Sequence, residues 1–230
     1  MEPLLLNREI SYMYLRDNNA RLRMPDQQAL EARRGDAYER ILAAAKELFM
    51  EKGFSKVSTD EVCKHASVSK TSLYKYFGDM SGLLEDVVRK ELESRLPEYH
   101  PLPNSREELS KCLYGIGHDV AELLSDPELL ELDRMALEIA RSHPKIGEIY
   151  NHIAFELFQQ HIGDLLKHAQ EQGFLELRAD PYDSADHLLS IWDGLGLMKV
   201  RLGLAAKPYD DMHKWFKQGI WVLFGLEEAS

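Results

Sequence analysis

The sequence has few cysteines and no long apolar run, and both absences narrow the kind of protein it can be. Only two of the 230 residues are cysteine, Cys63 and Cys112, which is too few for a secreted disulfide scaffold or for paired zinc ligands. No stretch approaches the roughly 20 apolar residues that cross a membrane. Residues 4–6 are too short for the apolar core of a signal peptide. We therefore expect a cytoplasmic protein with reduced thiols and no membrane partner.

Signatures of catalysis and of bound cofactors are also missing. The sequence has no activated nucleophile, no glycine-rich phosphate loop and no paired acid and base at helical spacing. His161, Asp164 and His168 have a spacing that can hold a metal, but no HExxH motif or second cluster accompanies them. A solvated or hydrogen-bonding strip is the favoured interpretation. We expect neither an enzyme nor a metal or cofactor site.

Apolar residues recur at helical spacing along most of the chain, and no alternating strand pattern appears. The sequence therefore predicts an all-α fold. Proline and glycine signals separate five predicted helices in the longer, C-terminal part. These lie near 106–124, 127–142, 145–172, 182–204 and 209–226.

Two short helices joined by a tight turn are predicted between residues 58 and 77. Ser58 and Glu61 have the spacing of a capping box, so a helix begins there and ends near Ala66. Ser69 is a second N-cap candidate, and the helix that follows it turns Leu73 and Phe77 inward. This is the arrangement of a helix-turn-helix. The residues left facing outward suit phosphates and base edges: Lys70, Thr71, Ser72, Tyr74, Lys75 and Tyr76.

A contiguous pattern surrounds these two helices, through Ile41–Phe49 and Glu51–Phe54 and on past Phe77 to Leu84. At these residues the sequence resembles the DNA-binding head of the TetR family of bacterial transcriptional regulators. The resemblance implies that the second short helix enters the major groove of double-stranded DNA. It implies DNA contacts from the following residues: Ser58, Thr59, Ser69, Lys70, Thr71, Ser72, Tyr74, Lys75 and Tyr76.

Three positions depart from the family pattern. Ser67 stands where a turn glycine is common, Asp60 where a basic residue is frequent, and Met80 where a lysine usually follows the Phe-Gly pair. Fewer phosphate contacts predict weaker non-specific affinity for DNA. These departures leave an alternative open, a helical ligand- or protein-binding module whose head binds DNA weakly or not at all.

The net charge of −11 at first sight argues against nucleic acid. Residues 36–78, however, carry seven Lys/Arg and six Asp/Glu, whereas residues 79–230 carry 15 and 28. A nearly neutral head can bind DNA if its cations cluster on one face. The acidity lies almost wholly outside the predicted head.

We expect three segments along the chain. Residues 1–35 form an N-terminal extension, which is either a mobile tail or an arm in which Arg33 and Arg34 contact phosphates. Residues 36–80 form the TetR-type helix-turn-helix domain, and residues 81–230 form a helical ligand-binding and dimerisation domain.

Residues 132–144 resemble the ligand-binding region of one TetR subset. The resemblance implies a cavity for a small apolar effector beside the helix from Lys145. That helix carries apolar stripes on opposite faces at about 100° per residue, which predicts a central position. The candidates for the cavity wall are Met135, Tyr150, Phe155, Phe158 and Trp192, although plain core packing draws on the same residue types.

The segments 182–204 and 209–226 contain more large apolar residues than one inward face needs. Gly194 and Gly196 would also let another helix approach closely. A homodimer interface of two helices from each subunit accounts for both features, and a larger monomer core is the alternative. The resemblance implies a repressor that binds an inverted-repeat operator and is released by its effector, with activation left open.

Overall fold

The computed structural model describes residues 36–96 and 100–228, so the predicted extension with Arg33 and Arg34 lies outside the described residues. Within these ranges the chain is helical and contains no strand, which confirms the all-α prediction. The chain divides into two compact units, the first ending at Glu91 and the second beginning at Leu92. No described helix is long and apolar enough to cross a membrane.

The first unit is built from a long helix and a helix-turn-helix, followed by a further helix. Its helices are α1 (Asp36–Lys52), α2 (Thr59–Ala66), α3 (Lys70–Phe77) and α4 (Met80–Glu93), whose last two residues belong to the second unit. After Gly53, where φ is 80°, the Phe54 ring packs edge-on against Phe49 with 5.3 Å between centroids. Leu73 and Phe77 of α3 are buried in the same unit, which fixes the opposite face of α3 outward.

Both predicted caps of the helix-turn-helix form. The Ser58 hydroxyl accepts a hydrogen bond from Glu61 N, and Ser58 N donates to Glu61 Oε2 at 2.9 Å. The bonds from Ser58 and the Lys52 ammonium, 3.2 Å from Glu61 Oε1, lower the pKa of Glu61 to about 2. At the start of α3, Ser69 Oγ accepts from Ser72 N at 3.1 Å. These caps fix where each short helix begins.

The turn between α2 and α3 passes through a left-handed serine. Ser67 has φ 54° and ψ 49°, and it is the only non-glycine with a positive φ in the described ranges. The N–H of Val68 donates to the carbonyl of Cys63 at 3.0 Å and closes the turn. A residue with a Cβ costs about 1 kcal/mol in this region. The sequence departure at Ser67 is therefore a site of backbone strain.

The second unit contains six helices in its described part: α5 (Arg106–Leu123), α6 (Pro127–Ala140), α7 (Pro144–Asn151), α8 (Leu157–Glu171), α9 (Pro181–Arg201) and α10 (Met212–Phe224). A π-helical turn, His152–Glu156, joins α7 to α8. The predicted helix over 145–172 is therefore interrupted. Because a π turn adds a residue, a uniform step of about 100° does not apply across it. Ile146 and Ile149 before the turn and Ile162, Leu165 and Leu166 after it are all buried.

The core of the second unit is centred on Trp192 of α9. The indole is 1% exposed, stacks on Phe216 of α10 with 5.1 Å between centroids, and donates its N–H to the Phe216 carbonyl at 3.2 Å. Apolar residues of α5 and α8 complete this cluster, among them Ile116 and Leu165. Packing and a satisfied indole N–H together anchor α9 against α10.

Gly194 and Gly196 have a different role from the predicted one. A Cβ at Gly194 would lie 2.4 Å from the Tyr209 hydroxyl, and one at Gly196 would lie 2.5 Å from the Pro208 carbonyl oxygen. The Tyr209 hydroxyl accepts a hydrogen bond from Gly196 N at 3.1 Å, and its ring stacks on Trp215. The glycines accommodate a segment of the same subunit, so the prediction that they admit another helix was wrong.

Replacing Ser67 with glycine is expected to raise the free energy of unfolding of the first unit by up to about 1 kcal/mol, because the relief of left-handed strain exceeds the added chain entropy of glycine. Urea denaturation followed by circular dichroism measures the change. Ser67→Ala is the matched control, since it removes the hydroxyl but keeps the Cβ. A Ser67→Gly protein no more stable than Ser67→Ala would show that the turn is not strained.

Candidate nucleic-acid interface and ligand cavity

The outward face of α3 is polar and partly aromatic. Tyr74 is 47% exposed, and Lys70, Thr71 and Lys75 are exposed beside it. The Lys75 ammonium lies 6.0 Å from the centroid of the Tyr76 ring. Exposed tyrosines and lysines on a rigidly packed helix are the groups that contact phosphates and groove edges.

Tyr76 and Ser72 are less available than the sequence predicts. Tyr76 is half-buried because its ring meets Tyr38 of α1 edge-on at 6.0 Å. Ser72 is half-buried as well, and its hydroxyl lies 3.0 Å from that of Ser69. Their predicted contacts with DNA are therefore limited to the exposed edges of these side chains.

The hydroxyl of Ser58 is committed to the cap. It accepts from Glu61 N and donates to Glu61 Oε2 at 2.9 Å. Phosphate oxygens accept hydrogen bonds, so a phosphate contact through this hydroxyl requires that Glu61 be displaced. Thr59, the first residue of α2, is half-buried and has no such bond to Glu61.

An acidic residue neutralises the first lysine of α3. Lys70 Nζ lies 2.7 Å from Asp60 Oδ1, with side-chain exposures of 53% and 74%. The hydrogen bond to Asp60 raises the pKa of Lys70. An exposed pair of this kind is worth little and breaks readily. Lys70 can reach a phosphate only by leaving Asp60, which itself repels the phosphate.

The second unit contains a largely apolar cavity of about 100 Å³. Four of the five predicted effector residues line it, namely Tyr150, Phe155, Phe158 and Trp192, whereas Met135 is buried but is not part of the lining. The π-helical turn contributes Ile153, Ala154 and Phe155 to the wall. This volume suits a small ring or a short chain.

One end of the cavity is charged, and its side chains are joined by a network of hydrogen bonds. The Arg201 guanidinium forms two bonds with Asp133, at 3.0 Å to Oδ2 and 3.1 Å to Oδ1, and a third with Asp193 Oδ2 at 3.3 Å. The Tyr150 hydroxyl donates to Asp133 Oδ1 at 2.6 Å. Burial and the Asp133 charge raise the pKa of Tyr150 far above its usual range, and burial also raises the pKa of Asp193. The network joins α6, α7 and α9.

Arg95 is a second guanidinium in the cavity lining. Its Nη2 lies 2.6 Å from Glu128 and its Nε lies 3.4 Å from Asp126. Two carboxylates thus surround each of the two arginines at the cavity. The local charge is negative rather than positive.

Sequence reasoning missed the four charged lining residues, Arg95, Asp133, Asp193 and Arg201. One signal was present, because Asp133 lies four residues after Leu129 and three before Ala136, on the apolar face of α6. A carboxylate at a core position indicates a buried partner.

Two residues of the predicted strip, His161 and Asp164, form hydrogen bonds, and the His168 ring meets the Phe174 ring edge-on. Asp164 Oδ1 accepts from the Tyr182 hydroxyl at 2.7 Å, and burial lowers the pKa of His161 to about 4. In the described residues the group with metal-ligand spacing lies elsewhere, at His118, Glu122 and His213. There Glu122 Oε1 lies 3.1 Å from His213 Nε2, and His118 Nδ1 lies 3.2 Å from His213 Nδ1.

Two family models match the chain. The model of the bacterial regulatory proteins of the TetR family matches residues 41–87. The model of the C-terminal domain of AefR-like transcriptional repressors matches residues 111–215. Among curated proteins, the uncharacterized HTH-type transcriptional regulator YvkB of Bacillus subtilis is 26% identical over 179 residues, which cover 76% of this chain and 89% of that protein.

Solved structures share the fold. The flavonoid-responsive regulator FrrA has a TM-score of 0.68 and 24% identity, covering 81% of this chain and 94% of its own. A TetR transcriptional regulator from Agrobacterium tumefaciens has a TM-score of 0.65 and 23% identity, covering 84% and 96%. The likeness extends over both units of the chain.

Replacing Asp60 with asparagine is expected to strengthen binding to a mixed-sequence DNA duplex, because it frees Lys70 and removes a charge that repels phosphate. The slope of log affinity against log salt should steepen by up to about one unit. Fluorescence anisotropy across a salt series measures both. Glu51→Gln, which removes an equal charge at an exposed position of α1, is the control. Equal affinities for the two variants would exclude a role for the Asp60–Lys70 pair.

Proposed function

The chain belongs to the TetR family of helix-turn-helix transcriptional regulators, and on that premise we propose that it is a ligand-responsive repressor acting in the cytoplasm. In this proposal a homodimer binds an inverted-repeat operator in double-stranded DNA. A small, largely apolar effector occupies the cavity of the second unit and releases the dimer from DNA.

The observation that carries the DNA-binding part is the exposed face of α3. Leu73 and Phe77 anchor the helix, the Ser69 cap fixes its first turn, and Tyr74 and Lys75 stand exposed on its outer side. A recognition helix needs this combination of a buried anchor and an exposed polar face. We assign the base and phosphate contacts to Lys70, Thr71, Tyr74 and Lys75.

Exposed apolar residues on α9 and α10 support the dimer. Leu195 is 81% exposed and Met198 48%, while Trp221 is 58% and Val222 65% exposed. Large apolar side chains that remain in water on two neighbouring helices mark an interaction surface. We propose that these residues pair with their copies in a second subunit, as a two-fold interface requires.

The cavity supports the effector part of the proposal. It is apolar along most of its wall and has a few polar groups at one end, which is the usual composition of a small-molecule site. The same fold responds to a small molecule in the flavonoid-responsive regulator FrrA. Leu92 lies on α4 and lines the cavity, so we propose that α4 moves when the cavity fills.

A second candidate function is a sensor module that does not grip DNA. The Asp60–Lys70 ion pair favours it, because that pair removes a cation from the first turn of α3. DNA binding distinguishes the two candidates.

The Tyr74→Ala variant is expected to bind operator DNA about tenfold or more weakly than the wild type, since a direct groove or phosphate contact is worth about 1–3 kcal/mol. The measurement is fluorescence anisotropy with DNA from the region flanking the protein's own gene, across a salt series. Leu102→Ala, which truncates an equally exposed apolar residue of the second unit, should bind normally. If the wild type binds this DNA no more tightly than scrambled DNA, the next experiment is a genome-wide selection for bound sequences. If that selection finds no bound sequence, the sensor module is favoured.

The Val222→Asp variant is expected to be monomeric at micromolar concentration, because the proposed interface would bury one unpaired carboxylate from each subunit. Sedimentation equilibrium measures the mass, and circular dichroism checks the fold. Leu102→Asp makes the same kind of change outside α9 and α10 and should remain a dimer. A Val222→Asp protein that is still fully dimeric would place the interface on another surface.

A further inference from the structure

The charged end of the cavity has hydrogen-bond acceptors to spare. Tyr150 gives its only proton to Asp133, so its oxygen can only accept from another group. Among the described residues Asp193 receives one hydrogen bond, from Arg201 to Oδ2. Its Oδ1 remains available, and its side chain is 35% exposed. A ligand that fills the apolar part of the cavity therefore needs a hydrogen-bond donor where it reaches this end.

Most hydrogen-bond donors at the same end already bond to carboxylates of the protein. Arg201 directs Nε and Nη2 to Asp133 and Nη1 to Asp193, which leaves one N–H on each terminal nitrogen. A group that both donates and accepts, such as a hydroxyl, can satisfy Asp193 and one of these N–H groups together. A group that only accepts leaves Asp193 desolvated without a partner, which is unfavourable.

The charge around the cavity disfavours anions. The two lining arginines are matched by two lining carboxylates, Asp133 and Asp193, and Arg95 is further paired with Asp126 and Glu128. A carboxylate entering the cavity would meet no guanidinium that lacks an anionic partner. It would also lose its hydration in a mostly apolar space.

We propose that the effector is a neutral molecule with a small apolar ring or chain that ends in a hydroxyl, and that carboxylates of the same shape are rejected. The hydroxyl donates to Asp193 at the charged end, while the apolar part packs against Phe155, Phe158 and Trp192. This inference rests on the proposed function, because it takes the cavity to be the effector site, and it adds the chemical class of the ligand.

The test compares three probes of nearly equal shape, para-ethylphenol, ethylbenzene and para-ethylbenzoate, by ligand-observed nuclear magnetic resonance titration of the full chain at neutral pH. We expect para-ethylphenol to bind about tenfold or more tightly than each of the other two, which corresponds to one net hydrogen bond to a charged acceptor. Ethylbenzene that binds as tightly as the phenol would overturn the role of the hydroxyl.

Two variants test whether Asp193 is the residue that distinguishes the phenol from the benzoate. Asp193→Asn keeps the shape of the side chain, removes its charge and adds a donor, so the preference for the phenol over the benzoate should fall about tenfold. Asp186→Asn removes an equal charge from an exposed position on the same helix and should leave the preference unchanged. If both variants behave alike, Asp193 does not set the selectivity and the inference fails.

The outcomes also separate this inference from the proposed function. Binding of the benzoate as tight as that of the phenol overturns the ligand class but leaves a ligand-responsive regulator intact. Failure of all three probes to bind rejects the cavity as a site for small aromatic molecules, and the inference falls with it. Operator binding in the anisotropy experiment is independent of either result, because it requires no effector.

Discussion

The buried carboxylate of Asp133 is the constraint on which the second unit of the structure depends. It is 4% exposed, and a charge so deeply buried is tolerated only where donors surround it. Arg201 of α9 and Tyr150 of α7 supply those donors, so the positions of three helices are tied to one side chain of α6. Removing Arg201 would leave Asp133 as a buried charge with the Tyr150 hydroxyl as its remaining donor among the described residues, which is strongly unfavourable. The apolar cavity has a defined polar end for the same reason.

The head solves a different problem, that of holding a short helix in place. Eight residues are too few for a helix to be stable alone, and α3 depends on its cap and on two buried side chains. In the turn before it, Ser67 has a strained left-handed backbone conformation. Glycine would adopt this conformation more easily. The strain is retained because the Val68 hydrogen bond and the two caps over-determine the turn. The orientation of α3, and with it the polar face, follows from these local bonds.

Residue patterns that are local in the chain were enough to predict the helix-turn-helix. They could not predict the charged end of the cavity. Ser58 with Glu61 and Ser69 with Ser72 are neighbours in the chain, so their spacing was enough to predict both caps. Helical periodicity predicted the helices of the second unit to within a few residues at most ends. It failed at the π-helical turn, because no residue pattern in 152–156 marks the extra residue. It also failed at Asp133 and Arg201, which are 68 residues apart and pair only once α6 and α9 are packed.

The distribution of charge in the head sets how it can discriminate among DNA sequences. In the described part of the first unit, Lys46, Lys52 and Lys70 are paired with carboxylates, whereas Lys56, Lys64 and Lys75 form no ion pair. Each phosphate neutralised contributes about 0.9 to the salt dependence of binding, irrespective of sequence. In a head with few unpaired cations, the sequence-independent contribution of phosphate contacts to the binding free energy is therefore small. In the proposed complex, groove contacts from α3 then make up a larger share of the binding free energy. A head with few unpaired cations is thus compatible with selective binding. Selectivity is the difference between the affinities for operator and for non-specific DNA, and few cations keep the non-specific affinity low.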